Sequence, residues 1–149
     1  MDDLDRKILQ LLQQNSRITN LKLAQAVHLA PSAVLKRVRS LERTGVIAGY
    51  TARLNHRRLG LDLTVLIDIE TSEKPGVMSI GGKLAAFPEV CAVYDVSGHS
   101  DYIIKVVVRD TEALNDLISR LGRIPGVLRT RTSLVMRTIK NELSPEPML

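Results

Sequence analysis

An apolar residue, a proline, one spacer and a valine occur twice in this chain, as Phe87-Pro88-Glu89-Val90 and Ile124-Pro125-Gly126-Val127. The offset between them is 37 residues, about the length of one strand–helix–strand unit. Each copy closes a segment of helical character and opens one of strand character. This weak internal repeat supports a fold of the last two thirds built from two similar units.

The flanking pattern fills in those units. Leu63, Val65, Ile67 and Ile69 alternate with polar residues, interrupted by Leu66, so Leu61–Glu70 reads as a strand. Lys74-Pro75-Gly76 breaks it, and a helix is expected over Val77–Phe87, ending before Pro88. Strands are expected at Glu89–Ser97 and Tyr102–Val108, joined by a tight turn at Gly98-His99-Ser100-Asp101. Asp110 or Thr111 caps a helix through Leu121, and Val127–Arg137 is the last strand. The order is β-α-β-β-α-β, a ferredoxin-like arrangement within an α+β chain. Both helices then cover one sheet face, and a second copy of the chain is the expected cover for the other.

The first third reads differently. Leu4, Ile8, Leu11 and Leu12 recur at helical spacing over Leu4–Gln14, behind Asp2 or Asp3 as cap. Thr19 caps a short helix, Asn20–Val27, with Leu21, Ala24 and Val27 expected on its inner side. Ala30-Pro31 starts a third helix, which Gly45 stops after Thr44. Three helices with a tight turn between the second and third form a helix-turn-helix. On the third, Val34, Val38 and Leu41 fall within about 40° of one another. Ser32, Lys36, Arg39 and Arg43 lie opposite, flanked by Ala33 and Ser40. Small residues permit close approach to a duplex, and long cations reach base edges and phosphates in the major groove. Arg37 sits at the edge of the apolar stripe and suits either a backbone phosphate or an ion pair within the domain. Arg17, after the first helix, completes the candidate DNA contacts.

Charge supports the division. Residues 1–60 hold 11 Lys/Arg against 4 Asp/Glu, a net of +7, while residues 61–149 hold 10 against 12. A polyanion is the expected partner of the first part alone. Val46–Leu54 reads as a strand in the place of a wing, and the basic stretch Asn55–Gly60 as a linker. The expected domains are therefore 1–54 and 61–149, joined by 55–60.

Other classes are disfavoured. No apolar run reaches the roughly 18 residues that span a bilayer, and the acidic N-terminus is unlike a secretory signal. Cys91 is the single cysteine, which fits a reducing cytoplasm and excludes an internal disulfide framework. His28 and His56 stand too far apart to suggest a metal site. No phosphate-cradling loop and no nucleophile with a plausible base is present, so no enzyme and no cofactor is expected. At 3% aromatics the open sheet face lacks a base-stacking platform for RNA.

Taken in order, Leu4-Asp5 with Ile8-Leu9, Asn15-Ser16-Arg17, Arg37-Val38 with Leu41-Glu42, Gly45-Val46-Ile47, Val96-Ser97-Gly98 with Asp101-Tyr102, and Pro125-Gly126-Val127 resemble the leucine-responsive/asparagine-regulator (Lrp/AsnC, or feast/famine) family. The resemblance runs from Leu4 to about Lys140. It implies a sequence-specific, DNA-binding transcription regulator that dimerises through its C-terminal domain and assembles further, often into octamers. It also implies an amino-acid effector held between dimers near the Gly98 turn. There Gly98 would allow backbone approach, Asp101 would receive an α-ammonium or orient the loop, and Ser133 and Leu134 would line the pocket. Asp95 and His99 depart from the residues common at their positions. Ala30 stands where a capping serine is common, a loss of about 1 kcal/mol locally. Two alternatives stay open: an architectural protein that binds DNA without an effector, and a Gly98–Asp101 segment that is only a hairpin turn.

Overall fold

The computed structural model describes residues 1–74, 76–142 and 144–147. The chain divides into two compact units, residues 1–53 with 140–149, and residues 54–139. Pro75 of the expected 74–76 break lies outside the described residues.

The first unit is built on three helices, α1 (Asp3–Gln14), α2 (Asn20–Val27) and α3 (Pro31–Arg43). Asp2 is the α1 cap: its side chain accepts from the Asp5 N–H, and the Asp5 carboxylate accepts from the Asp2 N–H. This reciprocal box satisfies two donors that the helix start leaves free. Thr19 caps α2 through the Lys22 N–H. The α2–α3 turn passes through His28 at φ 54°, a left-handed conformation more often given to glycine. α3 starts at Ala30 with no side-chain cap.

Ile8, Leu23, Ala24, Val27, Val34, Val38 and Leu41 form the core of this unit. Leu23 replaces the expected Leu21, which is 58% exposed. At 3.6 residues per turn Leu21 points roughly 110° away from the mean direction of Leu23, Ala24 and Val27. The expected strand over Val46–Leu54 is not formed, because nothing among the described residues pairs with it in a ladder. Its start is held instead by the Ile47 N–H on the Leu41 carbonyl and by Ile47 against the core. The basic stretch after it is a 3-10 turn, His56–Leu59, capped by Asn55 and ended by Gly60 at φ 74°.

The tail was expected with the second domain but groups with the first unit. The side-chain amides of Gln10 and Gln13 donate to the carbonyls of Pro147 and Pro145, at 3.1 and 2.9 Å. Arg53 pairs with Glu142 at 3.6 Å.

The second unit is a four-stranded sheet of β1 (Leu63–Thr71), β2 (Val90–Asp95), β3 (Tyr102–Val108) and β4 (Val127–Leu134), with helices α4 (Ser79–Ala85) and α5 (Thr111–Gly122). The order is β2-β3-β1-β4 with every neighbour antiparallel, the ferredoxin-like topology. Val65, Ile67 and Ile69 of β1 and Ile104, Val106 and Val108 of β3 are packed under Ile80 and Leu84 of α4 and Leu117 and Leu121 of α5. Both helix layers thus share one face. The opposite face carries Leu66, Asp68 and Glu70 of β1, Ile103 and Lys105 of β3, Tyr94 of β2 and Arg131 of β4. Asp110 is the α5 cap, bonding the Ala113 N–H at 2.8 Å. Among the described residues no helix is long and apolar enough to cross a membrane.

The bare start of α3 generates a stability prediction. Ala30 already has the extended backbone of a cap residue, with φ −67° and ψ 143°. Ala30→Ser should therefore raise the stability of the first unit by about 1 kcal/mol. Urea denaturation followed by helical circular dichroism checks it, and an unchanged midpoint would contradict the missing-cap account.

Candidate nucleic-acid interface

α3 presents its cations because its opposite face is buried. Val34 is fully buried, and Val38 and Leu41 are 8% and 5% exposed. With those three turned inward, Ser32, Lys36, Arg39 and Arg43 must face out. They line, with Leu35 and Ser40, a shallow hollow of about 430 Å³. Among the described residues none of Lys36, Arg39 and Arg43 forms an ion pair, so their charge is unneutralised. Ala33 flanks the hollow on the N-terminal turn of the helix and is half-buried. Arg17 is exposed on the turn between α1 and α2, outside this hollow; its backbone N–H bonds the Asn15 side chain.

Arg37 has a different job. Its guanidinium donates to Asp2 at 2.8 Å and to Asp5 at 2.7 Å, so of the two roles open to it the ion pair is the one formed. The same two carboxylates make the capping box of α1. Arg37 therefore couples the start of α1 to the middle of α3. Asp5 and Asp2 hold its proton more tightly than an isolated guanidinium would. The Asp5 N–H, and after it Arg37, lowers the Asp2 carboxyl. Glu42 on the exposed side accepts from the Tyr50 hydroxyl at 3.0 Å.

In the second unit the expected effector residues do not all meet. Asp95 ends β2, and Gly98, with φ 153°, and His99 are exposed on the following turn. Asp101 closes that turn. Its carboxylate accepts from the Thr71 N–H at 2.6 Å and the Thr71 hydroxyl at 3.1 Å, and its own N–H bonds the Ile69 carbonyl. Asp101 thus ties the β2–β3 turn to the end of β1. Ser133 and Leu134 lie at the other end of the sheet: they pair with Leu66 and Val65, whereas Tyr102 pairs with Ile69. Within one chain they are about 13 Å along β1 from the turn.

One cluster beside the turn escaped sequence reasoning. Glu73 accepts through one oxygen from the Ser79 N–H, the Ser79 hydroxyl and the Ile80 N–H, and through the other from the Tyr102 hydroxyl at 2.7 Å. It caps α4 from a loop six residues upstream, a spacing outside the capping-box pattern, so no local motif marks it. It also explains why α4 begins at Ser79 rather than Val77. Gly81 lets the Tyr102 ring approach: a Cβ there would lie 2.9 Å from the ring. The Ser79 hydroxyl, then Tyr102 and the two backbone donors, hold the Glu73 carboxyl down at about 2, against the effect of burial. Burial, then the Glu73 carboxylate, pushes the Tyr102 hydroxyl up to about 12. Among the described residues no group of three or more His, Cys, Asp or Glu could hold a metal ion.

Glu73 makes stability pH-dependent in a defined window. Its folded value lies below its ordinary 4.5, so the unfolded chain takes up the proton first. The stabilisation is whole above pH 4.5 and is lost as pH falls toward 2. Glu73→Gln should flatten that part of the profile and lower stability at neutral pH. Denaturant midpoints measured between pH 6 and 2 check it; parallel profiles for the two proteins would refute it.

Comparison with known proteins agrees with this geometry. Residues 1–48 match a family model described as a winged helix-turn-helix DNA-binding domain, and residues 64–145 match the Lrp/AsnC ligand binding domain. The leucine-responsive regulatory protein of Escherichia coli is 40% identical over 143 residues, covering 94% of this chain and 87% of its own. A transcriptional regulator of Neisseria meningitidis, solved as a complex with L-methionine, superposes with a TM-score of 0.92 at 31% identity, over 97% of this chain and 96% of its own. The feast or famine regulatory protein of M. tuberculosis, also complexed with L-methionine, superposes with a TM-score of 0.89 at 33% identity, over 98% and 99%. These relatives are regulators rather than enzymes. A helix-turn-helix with an unpaired cationic face, carried by a chain whose residues 64–145 match the ligand-binding domain, makes this protein a member of the Lrp/AsnC family of transcriptional regulators.

Proposed function

We propose that α3 enters the major groove and reads a specific operator, with Lys36, Arg39 and Arg43 contacting bases and phosphates and Ser32 and Ala33 allowing close approach. The observation that carries this reading is the unneutralised cationic face opposite a fully buried stripe. Arg37 supports it from behind, as the residue that fixes α3 against α1. Arg17 is a peripheral phosphate contact. The boundaries that go with the reading are a DNA-binding domain at 1–54, a connector at 55–60 and a regulatory domain from 61. Anisotropy titrations against an operator duplex test it. Lys36→Ala with Arg39→Ala should weaken binding at least tenfold while leaving the fold intact. Arg37→Ala should instead lower the stability of the first unit by about 1 kcal/mol, the scale of a partly exposed ion pair. Unchanged affinity in the double variant would reject the assignment of α3.

The second unit is proposed to dimerise through its open sheet face and to bind a free amino acid between dimers. Two structural relatives solved with L-methionine support the effector class. Asp101 orients the turn through Thr71, and Gly98, His99 and Asp95 edge it. Ser133 and Leu134 contribute only from another copy, since they stand at the far end of their own sheet. Light scattering should then give a dimer or a multiple of it, and calorimetry with L-methionine and other amino acids should give saturable heat. A monomer would remove the shared site. No heat at millimolar ligand, with assembly intact, would favour the architectural alternative.

A further inference from the structure

The 3-10 turn at His56–Leu59 and the chain after β4 enclose a polar groove of about 280 Å³ within the second unit. His56 and Arg57 line one wall and Arg137 and Thr138 the other, with Asp62 the single acid. We propose that this groove binds phosphate groups, through Arg57 and Arg137, and that in the working protein these are phosphates of the bound DNA.

Three observations carry the proposal. Arg57, Arg58 and Arg137 have no acid partner among the described residues; Arg123 and Arg129 of the same unit have none either, but they do not line the groove, whereas Arg109 and Arg131 each pair with one acid and Arg120 with two. Both walls are also pinned. The turn is closed by the Gly60 N–H on the Arg57 carbonyl and the Leu61 N–H on the His56 carbonyl, and the Arg58 N–H is bonded to Asn55. The opposite wall is held by the Val135 N–H on the Thr64 carbonyl at 2.9 Å, which extends the β1–β4 ladder past its last pair. Two guanidinium groups on fixed backbone lose less freedom on meeting an anion than two on a mobile linker would. Guanidinium pairs also match phosphate oxygens in geometry as well as charge. Finally, the groove begins at residue 54, where the first unit ends in the chain, so the proposal rests on the DNA reading above and extends it.

Salt dependence tests it. Each phosphate contact that is lost reduces the slope of log affinity against log salt by about 0.9. Arg57→Gln with Arg137→Gln should lower that slope by about 1 to 2 for specific and non-specific duplexes alike, and Asp62→Asn should raise affinity for both. In a parallel arm, inorganic pyrophosphate is titrated by calorimetry into the full-length protein and the double variant. A slope change supports DNA as the source. An unchanged slope with pyrophosphate heat that vanishes in the variant supports a phosphate site filled from free solution. An unchanged slope with no pyrophosphate heat overturns the proposal, even where Lys36→Ala with Arg39→Ala abolishes specific binding. If the wild-type chain binds no DNA, the reading of α3 fails separately and the pyrophosphate arm alone decides the groove.

Discussion

The burial of one stripe on α3 governs the rest of the molecule's first unit. Val34, Val38 and Leu41 leave water only if α1 and α2 supply Ile8, Leu23, Ala24 and Val27 to meet them. Three such side chains are worth several kcal/mol together, at about 1.5–3 kcal/mol each. Nothing on the outer face competes, because its cations are fully solvated. The rotation of the helix is therefore fixed from behind, and the cationic row takes whatever direction the core leaves it. The Arg37 clamp on Asp2 and Asp5 adds position along the axis, which a greasy contact specifies poorly.

The second unit is governed by register. β1 lies between β3 and β4, and its even and odd residues must serve opposite faces across both ladders. A slip by one residue would bring Leu66, Asp68 and Glu70 under the helices and expel Val65, Ile67 and Ile69. Asp101 and Glu73 guard the end of this strand. One ties the β2–β3 turn to Thr71; the other ties the β1–α4 loop to both Ser79 and Tyr102. Any ligand that moves the turn acts on a strand shared by the whole sheet.

Much of this was legible from short-range pattern. α2, β3 and the start of α3 fall where caps, alternation and Pro31 place them, because local chemistry decides those boundaries. The absence of the wing strand was not legible: Val46–Leu54 has strand composition, but a strand exists only with a partner. Leu21 misled because a three-residue repeat drifts around a 3.6-residue helix, and Leu23 supplies the buried face. Glu73 was invisible because its partners are brought to it by the fold rather than by spacing. Ser133 and Leu134 illustrate the converse, residues associated with a turn by family likeness that strand direction places at the opposite end of the sheet.

The return of Pro145 and Pro147 to α1 has a consequence for synthesis. Gln10 and Gln13 emerge from the ribosome early, yet the carbonyls they bond belong to Pro147 and Pro145, made only after the whole second unit. The unit that starts first is thus completed after its neighbour. The three helices can pack their core once residues 1–47 are made, but the contacts to Pro145 and Pro147 can form only after the last strand has been synthesised.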